Sequence, residues 1–293
     1  GGQFSANQAC VSALKSSNSA MSSLQFLTTL TPTVKHLLQR PKYLAIALRR
    51  KPPYRLAPMI SRLGIIGDVH AEHAHLAIAL DYLQRAKVDA IVCTGDIVDG
   101  KGNVSHCCAM LAEHGVRTVR GNHDRWLVEG KARHVPNAHL SSDLDDFSLN
   151  FLNELPTQIS LATTQGQLLL CHGVANNDLQ KIWPGTKRMP IERSSKLDEI
   201  IASGEFTYMI NGHVHYRTMI NFHTFTLFNA GTLKGDHRPG FSILDCENET
   251  LTGFEFHPQL RQVRCLDLNA PPERVFVNTL DFDGDWQPIT LYA

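Results

Sequence analysis

Five short apolar runs in this chain each stop at a polar cluster built around a glycine, and that repeat leaves few folds open. Residues 63–66 run into Gly67-Asp68-Val69-His70, residues 90–93 lead to Gly95-Asp96-Ile97-Val98-Asp99, and residues 117–119 lead to Gly121-Asn122-His123-Asp124. Residues 168–171 end in His172-Gly173, and residues 208–210 in Asn211-Gly212-His213-Val214-His215. Runs of this length bounded by glycine turns read as strands. Between the first two, residues 75–87 carry Leu76, Ala79, Leu80 and Leu83 on one stripe, which predicts a helix. A second helix is predicted over 104–114, with Gly115 as its stop signal. Strand, helix, strand, helix, strand is the order of an α/β domain with parallel strand pairs. Beyond residue 205 short strands dominate, at 208–210, 225–228, 241–244 and 254–256, and they predict a second sheet.

Side chains just beyond the carboxyl ends of parallel strands converge on one crevice. The five clusters would bring together Asp68, Asp96, Asn122, His70, His172, His213 and His215. A mixed oxygen and nitrogen set suits Mn²⁺, Fe or Zn²⁺ better than Ca²⁺ or Mg²⁺. Seven ligands are too many for one tetrahedral ion, so two ions sharing a carboxylate is the natural count.

The ordered series Gly-Asp-Val-His, Gly-Asp-Ile-Val-Asp, Gly-Asn-His-Asp, His-Gly and Gly-His-Val-His resembles the calcineurin-like metallophosphoesterase superfamily over residues 63–246. The resemblance implies a four-layer α/β/β/α sandwich and hydrolysis of a phosphomonoester or phosphodiester by a hydroxide held on two divalent ions, Mn²⁺ foremost, with Fe or Zn²⁺ as alternatives. It implies that Asp68, His70 and His215 bind one metal, that Asn122, His172 and His213 bind the other, and that Asp96 bridges them. His123 would protonate the leaving oxygen and Asp99 would hold it. Arg125, Arg217 and Lys187, together with Asn122, are candidates to hold substrate, although most exposed lysines and arginines have no specific role.

Two departures bear on the substrate. Ser/Thr protein phosphatases, which this family includes, follow the second aspartate with arginine and glycine, whereas Asp99 is followed here by Gly100-Lys101-Gly102. They also read Gly-Asn-His-Glu where this chain has Asp124. A phosphorylated small molecule or nucleotide is therefore the expected substrate, with a phosphoprotein as the alternative. A non-catalytic scaffold is the third reading, and the intact ligand positions speak against it. Residues 151–156 resemble the short linker of prokaryotic phosphoesterases grouped with diadenosine tetraphosphate hydrolases. The insertion at 129–156, with a helix over 143–152, is expected to form a lid over one side of the site.

The first 67 residues hold nine basic side chains and no acidic one, while the remaining 226 carry 19 basic against 28 acidic. Residues 1–60 thus read as a basic tail, arm or targeting segment, 61–257 as the phosphoesterase domain, and 258–293 as an extension packed on that domain. The overall charge is balanced, 28 against 28, and offers no case for a stable nucleic-acid complex. Seven cysteines without a Cys-x-x-Cys pair indicate a reduced compartment, and the cytoplasm is the expectation unless the basic segment is an organellar address. No apolar run approaches the ~18 residues of a membrane span. Cys107-Cys108 and Cys171 read as packing residues and His73 as a candidate for the rim of the site, while residues 229–232 resemble the family's late turn that packs beneath it.

Overall fold

The computed structural model describes residues 59–257 and 259–291, so the expectations for the basic segment, save its last two residues, lie outside them. In chain order the strands are β1 (Arg62–Ile66), β2 (Ala90–Cys93), β3 (Arg117–Thr118), β4 (Gln158–Thr163), β5 (Gly166–Cys171), β6 (Tyr208–Asn211), β7 (Arg217–Phe222), β8 (Phe225–Ala230), β9 (Gly240–Asp245), β10 (Thr250–Glu255), β11 (Arg261–Asp267) and β12 (Ile289–Thr290). The helices are α1 (His73–Arg85), α2 (Val104–Glu113), α3 (Asn122–Val128), α4 (Asp146–Glu154) and α5 (Ser195–Ser203).

Two six-stranded mixed sheets result, in the orders β11-β10-β9-β1-β2-β3 and β12-β7-β8-β6-β5-β4. The centre of the first is parallel, with Leu63 opposite Ala90 and Val92 opposite Arg117. The centre of the second is also parallel, with Leu168 opposite Tyr208 and Tyr208 opposite Thr226. Antiparallel strands close both edges of the second sheet and the β11 edge of the first, whose other edge, β3, stays parallel.

The side-chain alternation of β1 shows why the layers stack as they do. Leu63 and Ile65 enter the core between the sheets, with Leu170, Ile210, Phe228 and Leu244. Ile66 enters the core beneath α1 and α2, with Leu76, Leu80, Leu83, Cys107 and Cys108. On the far face of the second sheet a third core gathers Leu197 of α5 with Trp183, Phe276, Phe282 and Trp286. Three cores separate four layers, so the α/β/β/α sandwich is the observed architecture. Gly64 lets Leu83 of α1 pack close on β1, since a Cβ there would lie 2.8 Å from a Leu83 methyl carbon and push that side chain aside.

Element boundaries shift from expectation for identifiable reasons. Helix α1 stops at Arg85 because Lys87 takes a left-handed conformation (φ 54°). Helix α4 begins later than the expected 143, because the Asp145 side chain caps it by accepting from the Ser148 N–H at 2.7 Å. Within the inserted segment α4 packs on α2 and α3, and Arg133 and His139 of the stretch before it reach Asp99. Among the described residues, no helix is long and apolar enough to cross a membrane.

Candidate metal centre

The seven expected ligands lie at strand ends of both sheets. Asp68 and His70 follow β1, Asp96 follows β2, and Asn122 opens α3 after β3; His172 follows β5, while His213 and His215 follow β6. These turns are tight. His70, Asp96, Asp99, His213 and His215 all adopt positive φ, between 44° and 70°. Left-handed geometry is costly for non-glycine residues, and its accumulation at one place marks a constrained functional site.

Two sets of ligand atoms face each other across a short gap. Asp68, His70 and His215 present atoms within 4.8 Å of one another, and so do Asp96, His172 and His213. Nε2 of His70 lies 3.0 Å from Nε2 of His215, and Nε2 of His172 lies 3.0 Å from Oδ1 of Asn122. Asp96 stands between the sets: its Oδ2 is 3.3 Å from His172 Nε2 and 3.9 Å from His70 Nε2. Its other oxygen is already used, accepting from the His123 backbone N–H at 2.8 Å.

The neighbours orient these donors. Nδ1–H of His70 donates to the carbonyls of Val98 and Asp99, and Nδ1–H of His172 donates to the Thr94 carbonyl at 2.8 Å. Each bond fixes the tautomer and leaves the Nε2 lone pair facing the centre. Asp68 accepts from the Thr94 hydroxyl at 2.8 Å and from the His213 N–H at 2.8 Å. Two glycines make room for the carboxylates, since a Cβ on Gly212 or Gly121 would lie 2.1 Å from Asp68 Oδ1 or Asp96 Oδ1.

The electrostatics fit a cation pair. Asp68, Asp96, His70, His172 and Asn122 are all at most 2% exposed. Burial pushes the imidazoles of His70 and His213 down to about 4 and that of His215 to about 3, so they are neutral donors at pH 7. Burial and the nearby Asp96 raise the Asp68 pKa, and His172 holds Asp96 low against its own burial. Burial opposes charge on His172, but Asp96 and Asp68 prevail and push it up to about 10, so this ring takes the positive charge beside the carboxylates that a cation would supply.

His123 lies at the edge of this centre, its ring 5.0 Å from that of His70. Its Nδ1–H donates to Asp99 Oδ2 at 2.7 Å. Burial opposes charge on the ring, but the bond to Asp99 and the field of Asp96 prevail and raise its pKa above the ordinary imidazole value. Asp99 is held in turn by both terminal nitrogens of Arg133, at 2.9 and 3.0 Å, and by the His139 N–H at 2.9 Å. Arg133, His139 and Thr94 went unnoticed in the sequence. Thr94 could have been found, since it directly precedes Gly95-Asp96; Arg133 and His139 come from the insertion, with no motif around them.

The candidate substrate arginines are engaged by groups of the protein itself. Arg125 is bound by Asp178 at 2.6 and 2.9 Å and also pairs with Glu129. Arg217 is fully buried and reaches from β7 to donate to the carbonyls of Phe241 and Phe254 in the opposite sheet, so it ties the sheets together. Lys187 lies on a turn at the rim of a cleft that His215 also lines. His73 instead accepts from the Asn103 N–H and packs on His106. Asp124 caps α3 by accepting from Gly121 N–H and also binds the N–H groups of Ile97 and Val98, a reach that suits its shorter side chain. The 229–232 turn lies against Asp68, whose N–H donates to the Gly231 carbonyl at 3.1 Å.

A family model described as a calcineurin-like phosphoesterase superfamily domain matches residues 62–249. An uncharacterized protein of Methanocaldococcus jannaschii is 24% identical over 130 residues, 42% of this chain and 53% of that protein, so the chain spans about half the length of the curated relative it matches. Among solved structures, a hypothetical protein of Pyrococcus horikoshii has the same fold, with a TM-score of 0.52 at 15% identity over 66% of this chain and 87% of that one. A metallophosphoesterase from Sphaerobacter thermophilus gives a TM-score of 0.48 at 21% identity, covering 67% and 88%.

Proposed function

Since this chain belongs to the calcineurin-like phosphoesterase superfamily, we propose that it hydrolyses phosphate mono- or diesters of a small molecule or nucleotide at a centre of two divalent cations, Mn²⁺ foremost. Asp68, His70 and His215 would hold one cation, Asn122, His172 and His213 the other, and Asp96 would serve both. When bound, the cations supply positive charge against the phosphoryl oxygens and the acidity that yields a nucleophile at neutral pH. The observation that carries the reading is Oδ2 of Asp96, which stands against His172 Nε2 at 3.3 Å and His70 Nε2 at 3.9 Å.

The chain's own residues do the rest. Asp99 fixes His123 through Nδ1, so Nε2 carries the proton that passes to the leaving oxygen. The raised pKa extends to higher pH the range over which that proton is held. Gly100 supports a small-molecule or nucleotide substrate over a phosphoprotein. A Cβ there would lie 1.7 Å from the His70 carbonyl oxygen, so this backbone has no room for the arginine that protein phosphatases place after the second aspartate.

The test is hydrolysis by EDTA-stripped protein after Mn²⁺ is restored, on p-nitrophenyl phosphate and bis-p-nitrophenyl phosphate in parallel. Metal-restored turnover supports the reading, and the preferred substrate separates monoesterase from diesterase. Full metal loading with no turnover on either ester sinks it.

A further inference from the structure

A cleft of about 600 Å³ opens beside the metal ligand His215, and the phosphoryl chemistry above makes no use of it. Its size falls in the range of sites that enclose small ligands, ~300–1,000 Å³. The walls are a turn around residues 183–189, a loop at 236–238 and the segment 286–290. The first and third are joined before any ligand arrives: Gly284 N–H donates to the Pro184 carbonyl and Trp286 N–H to the Gly185 carbonyl, at 3.1 and 2.9 Å. Gly185 (φ 93°) permits this approach, since a Cβ there would lie 2.5 Å from the Gly284 Cα.

One side of the cleft is aromatic. Tyr216, the residue after the ligand His215, is 43% exposed and leans on Trp183, with ring centroids 5.8 Å apart. Trp183 is itself backed edge-on by Trp286 at 5.0 Å. An open ring on a rigid aromatic base is a stacking platform for a planar group.

The rim is cationic. Lys187 and Arg188 sit at the tip of a turn closed by the Thr186 N–H to Met189 carbonyl bond at 2.9 Å, and Arg238 lies on a second wall. Asp236, the carboxylate in the lining, is engaged by His237 at 2.9 Å and Lys234 at 3.8 Å. Residues 68–293 hold 19 basic against 28 acidic side chains, so this cluster runs against the charge of its surroundings. Cations gathered beside a centre built for two more cations repel it, and an anion lying between them relieves that repulsion.

We propose that this cleft binds the non-reacting part of the substrate, and that the substrate is a nucleotide carrying a second phosphate. Its base stacks on Tyr216, its second phosphate meets Lys187 and Arg188, and the phosphoryl group to be cut lies at the His215 end. Which phosphate is cut rests on the function proposed above; nucleotide binding in the cleft needs no cation.

The experiment has two arms. Calorimetric titration of metal-stripped protein with ADP, AMP and inorganic phosphate reads the cleft alone, and metal-restored hydrolysis of p-nitrophenyl phosphate reads the catalytic centre. ADP is expected to bind more tightly than AMP or phosphate. The double variant Lys187→Glu/Arg188→Glu should weaken ADP binding by about tenfold or more. Tyr216→Ala should weaken it about tenfold, and Tyr216→Phe should restore it. Failure of ADP to bind, equal binding of ADP and AMP, or a double variant that binds ADP like the wild type overturns the proposal. Tighter binding of a phosphoserine peptide than of ADP overturns it as well. Intact ADP binding with no ester hydrolysis sinks the catalytic reading and leaves the cleft standing, whereas hydrolysis without ADP binding sinks the cleft alone.

Discussion

Arg133 grips Asp99 by both carboxylate oxygens, at 2.9 and 3.0 Å, on the same group that accepts from His123 at 2.7 Å. The arginine therefore shares the negative charge that raises the imidazole pKa. Removing it should strengthen the field of Asp99 on His123 and raise the imidazole pKa further.

The expected consequence is a shift in pH dependence. His123 has a raised pKa, so its acid form is present below that value and is lost as pH rises through it. With a substrate that needs the acid, kcat/KM should fall along a basic limb, and Arg133→Met should move that limb to higher pH. A pH profile with phenyl phosphate checks the sign; a limb that stays put or moves down would remove Arg133 from the relay.

His123→Ala should cut turnover by roughly 10²–10⁴ on an ester with a poor leaving group, because proton donation in the transition state is worth about that much. The loss on p-nitrophenyl phosphate should be far smaller, since that leaving group departs without a proton. Metal content by elemental analysis should match wild type. Equal losses on both esters would argue against proton donation.

Asp96→Asn should abolish tight Mn²⁺ binding, as it replaces the one anionic oxygen placed against both ligand sets. Thr94→Val acts one step back, taking away the hydroxyl that orients Asp68 at 2.8 Å, and should weaken Mn²⁺ affinity about 10–100-fold. Equilibrium dialysis against Mn²⁺ ranks the two variants; a Thr94 variant that binds like wild type would show that Asp68 needs no such support.

Arg217→Ala should lower stability by roughly 2–4 kcal/mol in urea, because it empties a fully buried volume and strips donors from the Phe241 and Phe254 carbonyls. The fraction that folds should keep its KM for p-nitrophenyl phosphate. A raised KM with unchanged stability would return Arg217 to the substrate site.

How much of this was legible in the sequence depended on whether a residue's role is local. The strand ends were readable because glycine, aspartate and histidine at a turn announce themselves within four residues, as at Gly67-Asp68-Val69-His70. β4 escaped because an edge strand buries little: in Gln158–Thr163 only Leu161 and Thr163 are buried, too few to make a run. Arg217 misled because arginine is ordinarily exposed, and the carbonyls that accept from it lie 24 and 37 residues away. Arg133 likewise meets Asp99 across 34 residues, by a path of inserted chain that carries no periodic signal.

The seven candidate ligand side chains are divided between the two halves of the sandwich: Asp68, His70, Asp96 and Asn122 stand on one sheet, and His172, His213 and His215 on the other. Ions seated among them would act as a clasp across the seam, and the seam could open only by giving them up. Binding energy of that kind is also folding energy. A chelator would then behave toward this protein as a mild denaturant, and its heat tolerance would follow the metal supply as closely as it follows the packing of Leu63 against Phe228.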